Sequence, residues 1–295
     1  MITFLSRRAL LAAPLLPAAG LGQGKALAAV ASFSILADLV RQVGGDAVSV
    51  SSLVPPDGDP HAFHPRPGDL NALRTAAVVV ENGLGLEGWL ARLVQASGFG
   101  GVRVLASAGV EPRRMQEGGR AVPDPHIWQD PRLVVGMVRQ IAEGLAGADG
   151  ARAGAYRLRA ESYAAKIRLL DAQIEGRLAA IPAERRRVIT THDAFGYYGA
   201  RYGITFLAAQ GISTEAEPSP RALARLAAQM RKEGIRTVFL ENMTDPRIAR
   251  AIAREAGGSV GAKVYSDSLS PPGGPAPTWL DMLRYNTDQF VGAMS

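Results

Sequence analysis

The sequence has 295 residues, 47% hydrophobic and 20% charged, which suits a soluble globular chain with one large domain or two lobes. Of its formal charge of +6, Arg7, Arg8 and Lys25 fall in an acid-free leader; the +3 that remains, without a basic run interleaved with aromatics, argues against a nucleic-acid partner. With no cysteine anywhere, disulfides, thiolate metal sites, a cysteine nucleophile and a lipid-carrying cysteine are excluded.

The leader, residues 1–28, combines Arg7 and Arg8, an apolar stretch over 9–20 and a small-residue ending Ala26-Leu27-Ala28. It reads as an export signal cut near Ala28, of the twin-arginine type, with a plain general-secretion signal as the alternative. The apolar stretch is too short and too broken by proline to span a bilayer. The expected mature chain is therefore free in the periplasm and carries no lipid anchor.

Beyond the leader, helices and strands alternate. Hydrophobic periodicity predicts a helix over 33–44, a strand over 47–54, a short helix over 66–76, a strand over 76–82, a helix over 86–98 and a strand over 102–106. Residues 111–123 read as loop. Asp130 and Pro131 open a further helix as cap and first residue. From Ala151 to Ile181, Tyr156, Ala160, Tyr163, Ile167, Leu170, Ile174, Leu178 and Ile181 form one stripe at helical spacing, ended by Pro182.

Such a rod is longer than one lobe needs and reads as a strut. After it come strands over 187–191, 204–210, 236–242 and 262–266, and helices over 194–203, 220–234, 245–257 and 278–294. The expected fold is α/β: lobes at 29–150 and 183–295 with mostly parallel sheets, joined by a helix over 151–182. A helical strut resists hinge bending, so lobe closure should be small.

Three of the four histidines and one aspartate share a position. His61 follows the strand at 47–54, His126 follows the strand at 102–106, His192 comes directly after 187–191 and Asp267 directly after 262–266. In open α/β sheets ligands collect beyond the carboxyl ends of strands, so facing lobes would bring all four into one cleft. GDPHAFHP (58–65) and DPHIWQDP (124–131) flank their histidines with proline, which keeps them off helices. Three imidazoles and one carboxylate suit four-coordinate Zn²⁺, whereas manganese, magnesium and calcium prefer more oxygen.

Singly, each of these residues is as readily a turn or packing residue; jointly they point to metal. His64, between prolines, reads as an accessory or outer group, and Glu241, at a strand end, as a rival ligand or a support for one. Asp193 is expected to cap the helix after His192. Glu81, Glu215 and Glu217 read as solvated or interface groups.

The segments DGDPHAFHPRPGD, DPHIWQDPR, VITTHDAFGYYGARYG, VFLENMTDPRIA and YSDSLSPPGGPAPTWLDMLRYN resemble the zinc- and manganese-binding proteins of bacterial ABC importers, the cluster A-I solute-binding proteins. The similarity covers essentially the whole chain after the leader. It implies two α/β lobes on a rigid helix and a metal held in the cleft by His61, His126, His192 and Asp267. It also implies delivery of that metal to a membrane permease with its ATPase by a monomeric, non-enzymatic protein, and leaves room for a metallochaperone as a second partner.

Two departures stand out. Segment 111–123 lacks the His-rich loop of many zinc-type relatives, and His192 stands where manganese-type relatives usually have glutamate. Position 64 is usually Glu or Gln. Zinc is therefore the expected cargo, with manganese or iron(II) as alternatives. A zinc hydrolase is a more distant one, because catalytic zinc keeps an open position beside a base such as Glu241.

Overall fold

A computed structural model of the protein describes residues 25–117, 119–211, 213–214 and 218–295. The leader to residue 24, Glu215 and Glu217 lie outside them. Strand β1 (Leu27–Phe33) is central in a four-stranded sheet, between β2 (Val48–Val54) and β3 (Val78–Glu81), with β4 (Val102–Leu105) beyond β3. All pairs are parallel, with Ala29 opposite both Val50 and Val78. Sequence reading missed β1. A central parallel strand, covered on both faces, is a near-continuous apolar run, and LAAVASF merges with the apolar leader before it.

Helices α1 (Ser34–Gly44), α2 (Pro67–Thr75) and α3 (Leu90–Ser97) fill the crossovers. The segment read as loop contains an antiparallel hairpin, β5 (Arg114–Glu117) and β6 (Arg120–Pro123). Its strands, RMQE and RAVP, largely lack the apolar alternation that marks a half-buried strand. Helix α4 (Pro131–Ala148) starts as expected: the Asp130 side chain accepts from Arg132 N at 2.9 Å, and proline occupies the first turn.

Helix α5 (Ala153–Ala179) has 27 residues, about 40 Å at 1.5 Å per residue. The whole predicted stripe from Tyr156 to Ile181 is buried. The second half then builds β7 (Arg187–Thr190), α6 (Gly196–Tyr202), β8 (Thr205–Ala208), α7 (Pro220–Lys232), β9 (Thr237–Glu241), α8 (Pro246–Ala256), β10 (Ser259–Val264) and α9 (Trp279–Met294). Its parallel sheet runs β10-β9-β7-β8. Numbered within each lobe, both sheets have the order 2-1-3-4, so each has a switch point between its first and third strands. Helix α5 packs on α1 and α4 of one lobe and on α9 of the other.

Two fully buried tryptophans interlock the lobes. Trp279 Nε1 donates to Trp128 O at 2.9 Å, and Trp128 packs on Phe33 with ring centroids 5.0 Å apart. Trp279 N donates at 2.8 Å to Asp38 on α1, a carboxyl whose pKa is raised by burial. No helix among the described residues is long and apolar enough to cross a membrane.

Candidate metal centre

The four strand-end residues converge. His61 Nε2 and His192 Nε2 stand 3.2 and 3.0 Å from Asp267 Oδ2, and His126 Nε2 stands 3.7 Å from Asp267 Oδ1. One donor atom from each of the four lies within 4.8 Å of every other. Ligands about 2.0–2.1 Å from a tetrahedral Zn²⁺ are about 3.3 Å apart, a value that the three imidazole-to-Asp267 distances bracket. His126, His192 and Asp267 are fully buried, and His61 is 8% exposed. His126 Nε2, His192 Nε2 and Asp267 Oδ1 have no hydrogen-bond partner although buried. Unsatisfied buried polar atoms are costly, and a shared cation would satisfy all three.

Each histidine is held from behind. His126 Nδ1 lies 2.8 Å from Asp124 Oδ1, which also accepts His126 N at 3.0 Å. His61 N donates to Asp59 Oδ1 at 2.8 Å. Both copies of Asp-Pro-His therefore fold alike: the aspartate bonds the backbone two residues on, while proline fixes the step between. His192 Nδ1 lies 2.5 Å from Glu241 Oε2, and Glu241 Oε1 accepts from His192 N and Thr191 N. Carboxylates of this kind set the tautomer and aim the other ring nitrogen at a metal.

Further supports come from both lobes. Asn82, after β3, donates to Pro125 O at 2.9 Å; Glu87 in turn accepts from Asn82 N and Ser32. Trp128 Nε1 and Gln129 Nε2 both donate to Ser266 O, tying the His126 segment to the Asp267 segment. Tyr197 on α6 donates to Asp124 O at 3.0 Å, and Arg113 Nη1 reaches Asp124 Oδ2 at 3.4 Å. A Cβ at Gly196 would collide with that guanidinium.

Charge follows from this packing. Burial opposes charge on His126, yet the carboxylates of Asp267 and Asp124 push its pKa up to about 9. Burial also opposes charge on His192, and Glu241 and Asp267 carry it well above the usual range. Asp267, despite its burial, is held well below the usual carboxylate range by His192 and His126, and Glu241 is likewise lowered by His192. The metal-free site is thus a set of carboxylates neutralised by protons on imidazoles.

Some expectations change. His64 is exposed and is not one of the four whose donor atoms converge. Asp193 caps no helix: α6 begins at Gly196 after Phe195, without a side-chain cap. His126 follows the β5–β6 hairpin rather than a plain loop. Asp59 and Asp124 went unnoticed as supports, although the repeated Asp-Pro-His was their signal. Glu81 pairs with Arg103 at 2.7 Å.

A family described as "Zinc-uptake complex component A periplasmic" matches residues 29–293. The chain belongs to that family. Members are metal-binding solute-binding proteins and not enzymes. The "Manganese-binding lipoprotein MntA" of Halalkalibacterium halodurans is 31% identical over 92% of this chain and 90% of its own length. The "Iron-binding protein YfeA" of Yersinia pestis is 30% identical over 89% of this chain and 84% of its own. Among solved structures, the periplasmic zinc-binding protein TroA from Treponema pallidum superposes with a TM-score of 0.86 at 27% identity, covering 92% of this chain and 99% of that one. Some family relatives are named lipoproteins, whereas this sequence contains no cysteine. The hydrolase alternative finds no support in the family, and Glu241 is occupied by Thr191 and His192.

Proposed function

We propose that this protein captures Zn²⁺ in the periplasm through His61, His126, His192 and Asp267 and hands it to the permease and ATPase of an ABC importer. The observation that carries this is the convergence of three imidazoles and one carboxylate, with two Nε2 atoms and one carboxylate oxygen buried and without a hydrogen bond. Three nitrogens and one oxygen, each backed by packing, favour a borderline four-coordinate ion over harder cations that take more oxygen. On this reading residues 29–150 and 183–295 are the two lobes, and 151–182 the strut between them.

Manganese is the second reading. Relatives named for manganese and for iron share about three residues in ten with this chain, and the donor spacing suits either ion. Metal analysis of the protein taken from its native compartment, followed by Zn²⁺/Mn²⁺ competition, tests the choice. Stoichiometric zinc that excess manganese fails to displace is the expected result. Manganese as purified, or ready displacement of zinc by it, overturns the zinc reading.

A further inference from the structure

His61 differs from the other three candidate ligands in how it is held. The His126 and Asp267 segments are sewn together through Ser266 and backed by Trp128 and Trp279, and His192 is braced by Glu241. His61 rides on a loop, residues 55–61, that leaves β2 of the first lobe and lies against the second. Its side-chain hydrogen bond inside its own lobe is at the far end, where Trp89 Nε1 donates to Pro60 O at 2.8 Å. Before that point the loop is fastened across the cleft. Asn242 Nδ2 donates to Asp57 Oδ1 at 2.8 Å, Asp57 N donates to Leu269 O at 3.0 Å, and Thr214 Oγ1 donates to Asp59 Oδ2.

Two details give this fastening a purpose. Asp57 has φ of 57°, the left-handed region that aspartate tolerates better than most residues bearing a Cβ, so the loop turns tightly at the residue that Asn242 holds. Asn242 directly follows Glu241, and its Nδ2 also reaches Ser268 O at 3.4 Å, next to Asp267. One dipeptide at the end of β9 thus grips the segments of His192, His61 and Asp267.

We infer that Asn242 and Thr214 are positioning residues that hold the His61 loop closed over the site, and that parting their bonds to Asp57 and Asp59 is how the metal leaves. The inference rests on the four residues binding metal as proposed. Each cross-lobe hydrogen bond is worth a factor of about 2 to 10 in the closed-to-open ratio. Losing Asn242 should therefore speed release without removing a ligand. N242D goes further, setting two carboxylates against each other, and the swap N242D/D57N restores a donor–acceptor pair with the roles reversed.

The test is stopped-flow release of zinc from the loaded full chain into excess EDTA, with zinc per chain measured beforehand at saturation. All variants should load one zinc. N242A should release about 2- to 10-fold faster and N242A/T214V faster again by a similar factor, N242D at least as fast as N242A with an acceleration that added salt reduces, and N242D/D57N near the wild-type rate. Loading of one zinc with wild-type release from N242D, or acceleration that D57N fails to reverse, overturns the gate. Failure of the unaltered protein to load zinc refutes the zinc reading of the site, a separate result.

Discussion

Glu241 meets His192 twice. Its Oε1 accepts the His192 backbone N–H at 2.8 Å, and its Oε2 lies 2.5 Å from Nδ1 of the same residue, all of it fully buried. One carboxylate at the end of β9 thereby fixes both the backbone and the ring of a residue just beyond the neighbouring strand β7. A carboxylate carried by the sheet orients this imidazole.

Replacing Glu241 by glutamine should therefore weaken zinc binding while leaving the four candidate ligands in place. An amide keeps an acceptor for the two backbone donors but removes the charge that steadies His192 Nδ1. Loss of such a support typically costs 10- to 100-fold in metal affinity. Competition with a zinc chelator measures it, and unchanged affinity in E241Q would show that His192 needs no anchor.

Removing a candidate ligand should do more. His126→Ala and His192→Ala each take one of four donors and remove one of the imidazoles that face the buried Asp267. Zinc affinity should fall by well over 100-fold in either variant. Mass spectrometry under native conditions and chelator competition read the outcome; near-stoichiometric zinc retained by both variants would locate the metal elsewhere.

What was legible in the chain follows from physics. The four converging residues could be found because a parallel α/β lobe forces strand ends to one side, and His192 and Asp267 sit within three residues of β7 and β10. The α5 stripe was legible because one face of a long helix must be buried. Strand β1 was hidden because complete burial erases the alternation that identifies strands. The hairpin before Asp124 was hidden for the opposite reason, since its mostly polar strands bury little. The place of His64 was not legible, because proximity in sequence to His61 says nothing of direction once Pro60 and Pro65 rule out a helix.

Binding should release protons. His126 and His192 are both shifted upward, His126 to about 9, so at pH 7 the metal-free protein holds protons that zinc must displace. Calorimetry in buffers of different ionisation enthalpy should show about two protons released per zinc at pH 7, with affinity rising toward pH 9. A buffer-independent binding heat would contradict it.

The same shifts set the stability of the metal-free form. A histidine whose pKa is raised on folding contributes stability that is complete below its unfolded value near 6.5 and is lost as pH rises through about 9. Asp267 and Glu241 are lowered, so their contribution is present above their ordinary values near 4 and is lost as pH falls. The Tm of metal-free protein should hold between about pH 5 and 6.5 and decline toward pH 9.5. Zinc-loaded protein should lack that alkaline decline; parallel curves for the two forms would show that the imidazoles are not the groups responsible.

Helix α5 limits what the lobes can do. It runs unbroken through 27 residues, packed on α1 and α4 at one side and on α9 at the other, while Trp279 binds both Asp38 and Trp128 across the boundary. A wide hinge motion would have to bend a helix and pull a fully buried tryptophan out of its socket, a loss of several kcal/mol for the indole alone. Opening should therefore be confined to loops. Small-angle scattering of metal-free and zinc-loaded protein should give nearly superimposable profiles, while hydrogen exchange around residues 55–61 slows when zinc binds. A large change in radius of gyration between the two forms would mean that the strut bends after all.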